Sequence, residues 1–220
     1  MLIDFGGTLD ADGEPWVDRF FHGYCAAGGS VDRLTFGAVF ARSDAELART
    51  PGIAGFDYSA TVQSQAALLA NLLPDGTCLR GGAVAAEFVA SARVIAERNR
   101  GALEALAGRF RLAVVSNYQG NLRPCLDELA LGDLFDVVSD SALVGTRKPD
   151  RRIFDLTLAA LGCSPGASWM IGDSPPNDIA PAAALGLRTC WLAAPDRETT
   201  APAPTTRTAR FDRVPELLAT

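Results

Sequence analysis

Four short stretches of this sequence carry side chains that could make a reaction centre. The first is Asp4-Phe5-Gly6-Gly7-Thr8, where the apolar run Leu2-Ile3 stops at a carboxylate and is followed by two glycines and a threonine. A strand ending there presents Asp4 where backbone can wrap closely around a ligand. The others are Ser116-Asn117 after Val114-Val115, Lys148-Pro149, and Gly172-Asp173 with Asp178 five residues beyond Asp173. An aspartate attacking phosphorus needs its own charge and that of the phosphoryl group offset. Mg²⁺ held through oxygen ligands between Asp4 and Asp173 supplies one offset, and Lys148 adds a fixed cation. Ser116 and Asn117, with the loop of Gly6, Gly7 and Thr8, are candidates to hold phosphoryl oxygens, which makes the stabilisation largely electrostatic. An aspartyl-phosphate would split the transfer into two steps. Plainer roles exist for each residue. Asp4 before Gly6-Gly7 suits a turn, Ser116-Asn117 and Asp178 suit helix caps, and Lys148 suits a solvated loop.

The elements that must position these groups follow from periodicity. From residue 16 to about 94 the apolar residues Trp16, Phe20, Phe21 and Tyr24, then Phe36, Val39 and Phe40, then Val62, Ala66, Leu69, Leu72 and Leu73 recur at helical spacing. Breaks at Gly28-Gly29-Ser30, Pro51-Gly52 and Pro74-Asp75-Gly76 divide this block into three or four helices. From about residue 100 helices alternate with β-rich runs, which predicts βαβ units and a parallel sheet. Helices are expected at 103–107, 122–131, 151–161 and 179–185, each stopped by a glycine suited to a left-handed cap, and strands at 111–116, 135–139, 168–171 and 188–192. Residues 193–207, rich in Pro and Thr, read as a loop, and 214–218 as a last short helix. The fold class is therefore α/β, a parallel-sheet core formed by 1–13 plus 95–220 with a helical domain at 14–94 inserted after the first strand. Ligands of such open sheets sit at the carboxyl ends of the strands, where all four stretches fall.

Composition narrows the partners. With 220 residues, 48% hydrophobic, the chain can bury a full core. A net charge of −6 and only short basic pairs, Arg147-Lys148 and Arg151-Arg152, argue against nucleic acid. Five scattered cysteines make neither a disulfide framework nor a zinc motif, and no apolar run spans a bilayer, so the expectation is a soluble cytoplasmic protein, monomer or homodimer, with a small-molecule substrate.

In order and spacing the four stretches resemble the motifs of the haloacid dehalogenase (HAD) superfamily, in the subgroup with a helical cap after the first strand of a Rossmann-like core. The family's first motif, Asp-x-Asp-Gly-Thr, maps to Asp4-Phe5-Gly6-Gly7-Thr8, the second to Val114-Val115-Ser116-Asn117, the third to Lys148-Pro149 and the fourth to Gly172-Asp173 with Asp178. The resemblance implies a hydrolase with Asp4 as nucleophile. It also implies Mg²⁺ held by Asp4, the Gly6 carbonyl and Asp173, with Asp178 orienting Lys148 or a metal-bound water. The family's phosphatases carry an acid/base aspartate where this chain has Gly6. Asp10, Asp12 and His22 are the candidate surrogates. Relatives that cleave carbon–phosphorus bonds have a small residue there but use a cap lysine, and residues 16–94 contain none.

Three readings follow. The first is an Mg²⁺-dependent hydrolase of a small phosphorylated metabolite, the second an enzyme with other chemistry on a small organic substrate, and the third a binding protein of weak activity. Retention of Asp4, Ser116, Lys148, Asp173 and Asp178 speaks against the last. With only three residues before Asp4, the true start is expected upstream of Met1.

Overall fold

A computed structural model describes residues 1–198 and 202–218. Its elements in chain order are β1 (Leu2–Ile3), α1 (Trp16–Ala26), α2 (Arg33–Leu47), α3 (Tyr58–Leu72), α4 (Ala83–Ala107), β2 (Ala113–Ser116) and α5 (Leu122–Glu128). They continue as β3 (Val137–Asp140), α6 (Ser141–Val144), α7 (Arg151–Leu161), β4 (Trp169–Gly172), α8 (Ala180–Ala184), β5 (Arg188–Leu192), β6 (Thr206–Thr208) and α9 (Val214–Leu217).

The strands form one parallel sheet in the order β3-β2-β1-β4-β5-β6. Both faces are covered, as parallel sheets require. Side-chain alternation divides the strand residues between two cores: Ile3, Val114, Ile171, Cys190 and Leu192 join the one shared with α1, α3 and α4, whereas Leu2, Ala113, Val115 and Met170 join the one beneath α7. β1, though two residues long, lies at the centre, with Ile3 registered against Val114 on one side and Ile171 on the other. The sheet builds outward from β1 in both directions, so the crevice at the strands' carboxyl ends opens beside Asp4.

Between residues 16 and 94 the described elements are helical, with breaks at the expected turns. The helical layer shares its apolar core with the sheet: Phe20, Tyr58, Leu69 and Phe88 belong to the cluster that contains Ile3 and Val114. α4 is one 25-residue helix, continuous across residue 94, and it includes the helix expected at 103–107.

α7 and β5 match the expected bounds, and the other elements shift by a few residues. Two expectations are corrected. β6 lies inside the segment read as loop: Thr206–Thr208 pairs with Cys190–Leu192, and Thr189 and Thr205 exchange amide-to-hydroxyl hydrogen bonds. Proline and threonine around it mask a three-residue edge strand. Of that segment, residues 199–201 lie outside the described residues. The glycine caps also differ. Gly162 and Gly186 are left-handed, but Gly108 is right-handed, and after α5 it is Ala130, not Gly132, that takes a positive φ of 54°. Among the described residues no helix is long and apolar enough to cross a membrane, and all five cysteines are free.

Candidate active site

Lys148 is the only lysine in the chain. It is 4% exposed, and its Nζ lies 2.6 Å from Asp4 Oδ1 and 2.6 Å from Asp178 Oδ1. Its loop is held from β2: the Asn117 side-chain amide donates to the Lys148 carbonyl (2.9 Å) and its oxygen accepts from the Lys148 amide (2.8 Å). Asn117 thereby aims the lysine. A flexible ammonium suits this place better than a planar guanidinium, because its donors can diverge toward carboxylates from two strands.

Asp173 follows β4 at 5% exposure, and the Thr8 hydroxyl lies 3.1 Å from Asp4 Oδ2 and 3.2 Å from Asp173 Oδ1. One hydroxyl proton serves one of these carboxylates at a time. Two glycines make the approach feasible. Gly7 has φ +91°, and a Cβ there would meet Asp173 Oδ2 at 2.8 Å; a Cβ on Gly172 would meet Asp178 Oδ2 at 2.3 Å. Asp178 does not cap α8. It lies in a single π-turn, Pro175–Ile179, and its Oδ2 accepts from the Ser174 amide at 3.0 Å, leaving Oδ1 for Lys148.

The electrostatics are unbalanced. Three carboxylates, with ligand oxygens within 4.8 Å of one another, face a single ammonium. Burial opposes the charge of Lys148, but Asp178 and Asp4 more than offset it and hold its pKa above the ordinary value. Burial, reinforced by the charges of Asp4 and Asp178, pushes Asp173 well above the carboxylate range. Burial raises Asp178 to about 6 even with Lys148 beside it. An excess of buried negative charge on hard oxygen donors is the chemistry that suits Mg²⁺, so the residues fit such an ion.

These groups open into a cavity of about 410 Å³, within the range of about 300–1,000 Å³ usual for small-molecule sites. Asp4, Gly6, Ser116, Asn117, Lys148, Asp173 and Asp178 all line it. Asp10, Asp12 and His22 are not in its lining. Asp10 is wholly buried beneath the loop and accepts from Gly7 N (2.7 Å), Trp16 Nε1 (2.7 Å), Tyr58 Oη (2.6 Å) and Arg19 Nη1 (3.3 Å). Asp12 pairs with Arg98 and accepts from the Phe211 amide. His22 is exposed, pairs with Glu14 at 2.8 Å, and lines a separate groove between α1 and α4.

Trp16, Asp44 and Gln119, which belong to none of the four stretches, also line the cavity. Trp16 read as one apolar residue among many. For Asp44 a signal existed, because it lies one helical turn after Phe40, a carboxylate on the apolar side of α2.

The chain belongs to the haloacid dehalogenase-like hydrolases, whose family profile matches residues 1–186. It is 36% identical over 99 residues to pyrimidine 5'-nucleotidase YjjG of Escherichia coli (strain K12), a match that covers 44% of each chain. It is also 36% identical over 90 residues to phosphoserine phosphatase of Thermus thermophilus, covering 40% of this chain and 36% of that one. The chain thus spans less than half the length of these curated relatives in the match. Among solved structures, the putative HAD-hydrolase YfnB from Bacillus subtilis, bound to magnesium, superposes with a TM-score of 0.57 at 21% identity, covering all of this chain and 97% of that one. At that identity the likeness concerns the fold.

Proposed function

We propose that the protein is a hydrolase of small phosphate monoesters, with Asp4 as nucleophile and Mg²⁺ as cofactor. The observation that carries this reading is the Lys148 ammonium between Asp4 and Asp178, with Asp173 alongside. Relatives named for nucleotide and phosphoserine hydrolysis support a phosphorylated substrate.

Asp4, Asp173 and the Gly6 carbonyl would hold the ion, which when bound supplies charge neutralisation for the phosphoryl group. The chain's own residues do the rest. Lys148 fixes one oxygen of Asp4, so that its Oδ2 faces Thr8 and the entering phosphorus. Ser116, buried at the end of β2, and the Gly6 amide offer hydrogen bonds to the phosphoryl oxygens, whereas the Gly7 amide, expected from the sequence to join them, is spent on Asp10 Oδ1. Asp4 then forms the new oxygen–phosphorus bond as the ester bond breaks, and water hydrolyses the aspartyl-phosphate in a second step. Lys148, anchored by Asn117 and Asp178, keeps its charge throughout and costs no reorganisation during transfer.

Phosphate release from a panel of monoesters, with Mg²⁺ and with chelator, tests this reading. Release is expected only with the metal, and aluminium or beryllium fluoride should bind at Asp4. Halide release, or neither metal nor metallofluoride binding, would sink the phosphoryl reading.

A further inference from the structure

The phosphoryl reading leaves one role unfilled. The leaving oxygen needs a proton and the attacking water needs a base, and Gly6 offers neither. The place is also crowded: a Cβ on Gly6 would lie 3.2 Å from Trp16 Nε1, which Asp10 holds in position. The titratable groups lining the cavity are few. Asp4 and Asp178 pair with Lys148, Asp173 stands beside them, and the half-buried Tyr118 donates its hydroxyl to Cys125 Sγ at 3.4 Å. Arg197 also lines the cavity, and its guanidinium carries donors only. Asp44 is the remaining carboxyl in that lining, and it comes from α2 in the helical layer.

Asp44 is oriented from the core. Gln119, three residues beyond Ser116, donates its Nε2 to Asp44 Oδ1 at 2.7 Å. The loop carrying Gln119 is itself fixed, since Asp140 accepts from the amides of Gly120 (2.9 Å) and Leu122 (3.1 Å). Phe40, one turn earlier on α2, lines the same cavity, so this side of the helix looks into it.

We propose that Asp44 is the general acid and base of this centre, supplied by the helical layer in place of a core carboxylate at position 6. This rests on the phosphoryl reading. In the first step Asp4 bonds to phosphorus, the bond to the leaving oxygen breaks, and the Asp44 carboxyl gives that oxygen its proton, releasing an alcohol. In the second the Asp44 carboxylate takes a proton from water, whose oxygen bonds to phosphorus as the Asp4–phosphorus bond breaks. Phosphate leaves, and both aspartates return to their starting states. Burial raises the Asp44 carboxyl above its ordinary range, against the charge of Arg147 and the hydrogen bond from Gln119, the direction that a proton donor needs.

Asp44→Asn keeps an oxygen to accept from Gln119 and removes the proton. With Mg²⁺, its turnover of glycerol phosphate is expected to fall ~10²–10⁴-fold. With p-nitrophenyl phosphate, whose leaving group needs no acid, it should release one equivalent of nitrophenolate in a burst and then turn over slowly. Asp44→Glu, which keeps the carboxyl, should recover at least ~10-fold of the glycerol phosphate loss. Wild-type rates in Asp44→Asn, an equal loss on both substrates without a burst, or no recovery in Asp44→Glu would overturn the assignment. If the wild-type protein releases phosphate from neither ester, the phosphoryl reading fails and takes this assignment with it.

Discussion

Trp16 stands against Gly6, its indole Nε1 3.2 Å from where a Cβ on that glycine would lie. The contact is tight but not prohibitive, because Gly6 is not among the positive-φ glycines and an L-residue can take its backbone conformation. A side chain at position 6 needs the indole to give by a few tenths of an ångström.

Gly6→Asp is therefore expected to fold and to place a carboxyl beside the nucleophile. Alkyl phosphate hydrolysis with Mg²⁺ should rise at least ~10-fold, within the ~10²–10⁴-fold that general acid–base help supplies. The gain should be larger when Asp44 is Asn, because the new carboxyl then fills an empty role. Steady-state phosphate release in the single and double variants measures both gains. Unchanged activity with intact metal binding would mean that proton transfer is not what limits turnover.

Asp10 is the hub through which the loop holds the helical layer. It binds Trp16 and Arg19 of α1, Tyr58 of α3 and the amide of Gly7, and is itself fully buried. Removing one partner of a buried ion pair leaves the other charge uncompensated, at a cost of about 3–5 kcal/mol. Asp10→Ala should lower the free energy of urea unfolding by that order. Arg19 retains Phe88 O and Ser91 Oγ, so the cost should sit at the low end. A change below about 1 kcal/mol would show that the network does not bind the layers together.

The division between what was readable in the sequence and what was not follows from contact range. Asp4, Ser116 and Asp173 each close or follow a strand, and a parallel sheet delivers strand ends to one edge whatever the rest of the chain does; Lys148, in the loop after α6, is brought there by Asn117 at the end of β2. Asp10, Asp12 and His22 have the chemical type of an acid/base and stand near the first stretch in sequence, but packing holds each elsewhere. Asp10 is consumed by four donors, Asp12 by Arg98 and the Phe211 amide, and His22 by Glu14. Asp44 reaches the cavity only because α2 packs over the crevice and meets Gln119, 75 residues away. No local pattern encodes that crossing. Thr206–Thr208 is hidden for the opposite reason: its pairing is regular, but three residues are too short for a periodicity to register.

Asp4→Asn separates catalysis from stability. It removes the nucleophile, so phosphate release should drop by more than ~10³-fold. It also removes one of three carboxylates facing one ammonium, while the new amide oxygen can still accept from Lys148. In chelator the wild-type cluster has a definite pH signature. Asp178 is raised from 3.8 to about 6 on folding, so its stabilising contribution is complete below the unfolded value and is lost as pH rises through about 6. Asp173, raised further by burial and by Asp4, acts in the same sense. The metal-free wild type should thus lose stability between pH 4 and pH 7. Asp4→Asn, with less repulsion to resist, should lose less and be the more stable at pH 7. Saturating Mg²⁺ should reverse that order, since an ion at 100 times its Kd adds about 2.7 kcal/mol to the form that binds it. Urea midpoints at pH 5 and pH 7, with chelator and with Mg²⁺, measure each term. A metal-free Asp4→Asn protein less stable than wild type at pH 7 would mean that Lys148 draws more from Asp4 than the crowded carboxylates give back.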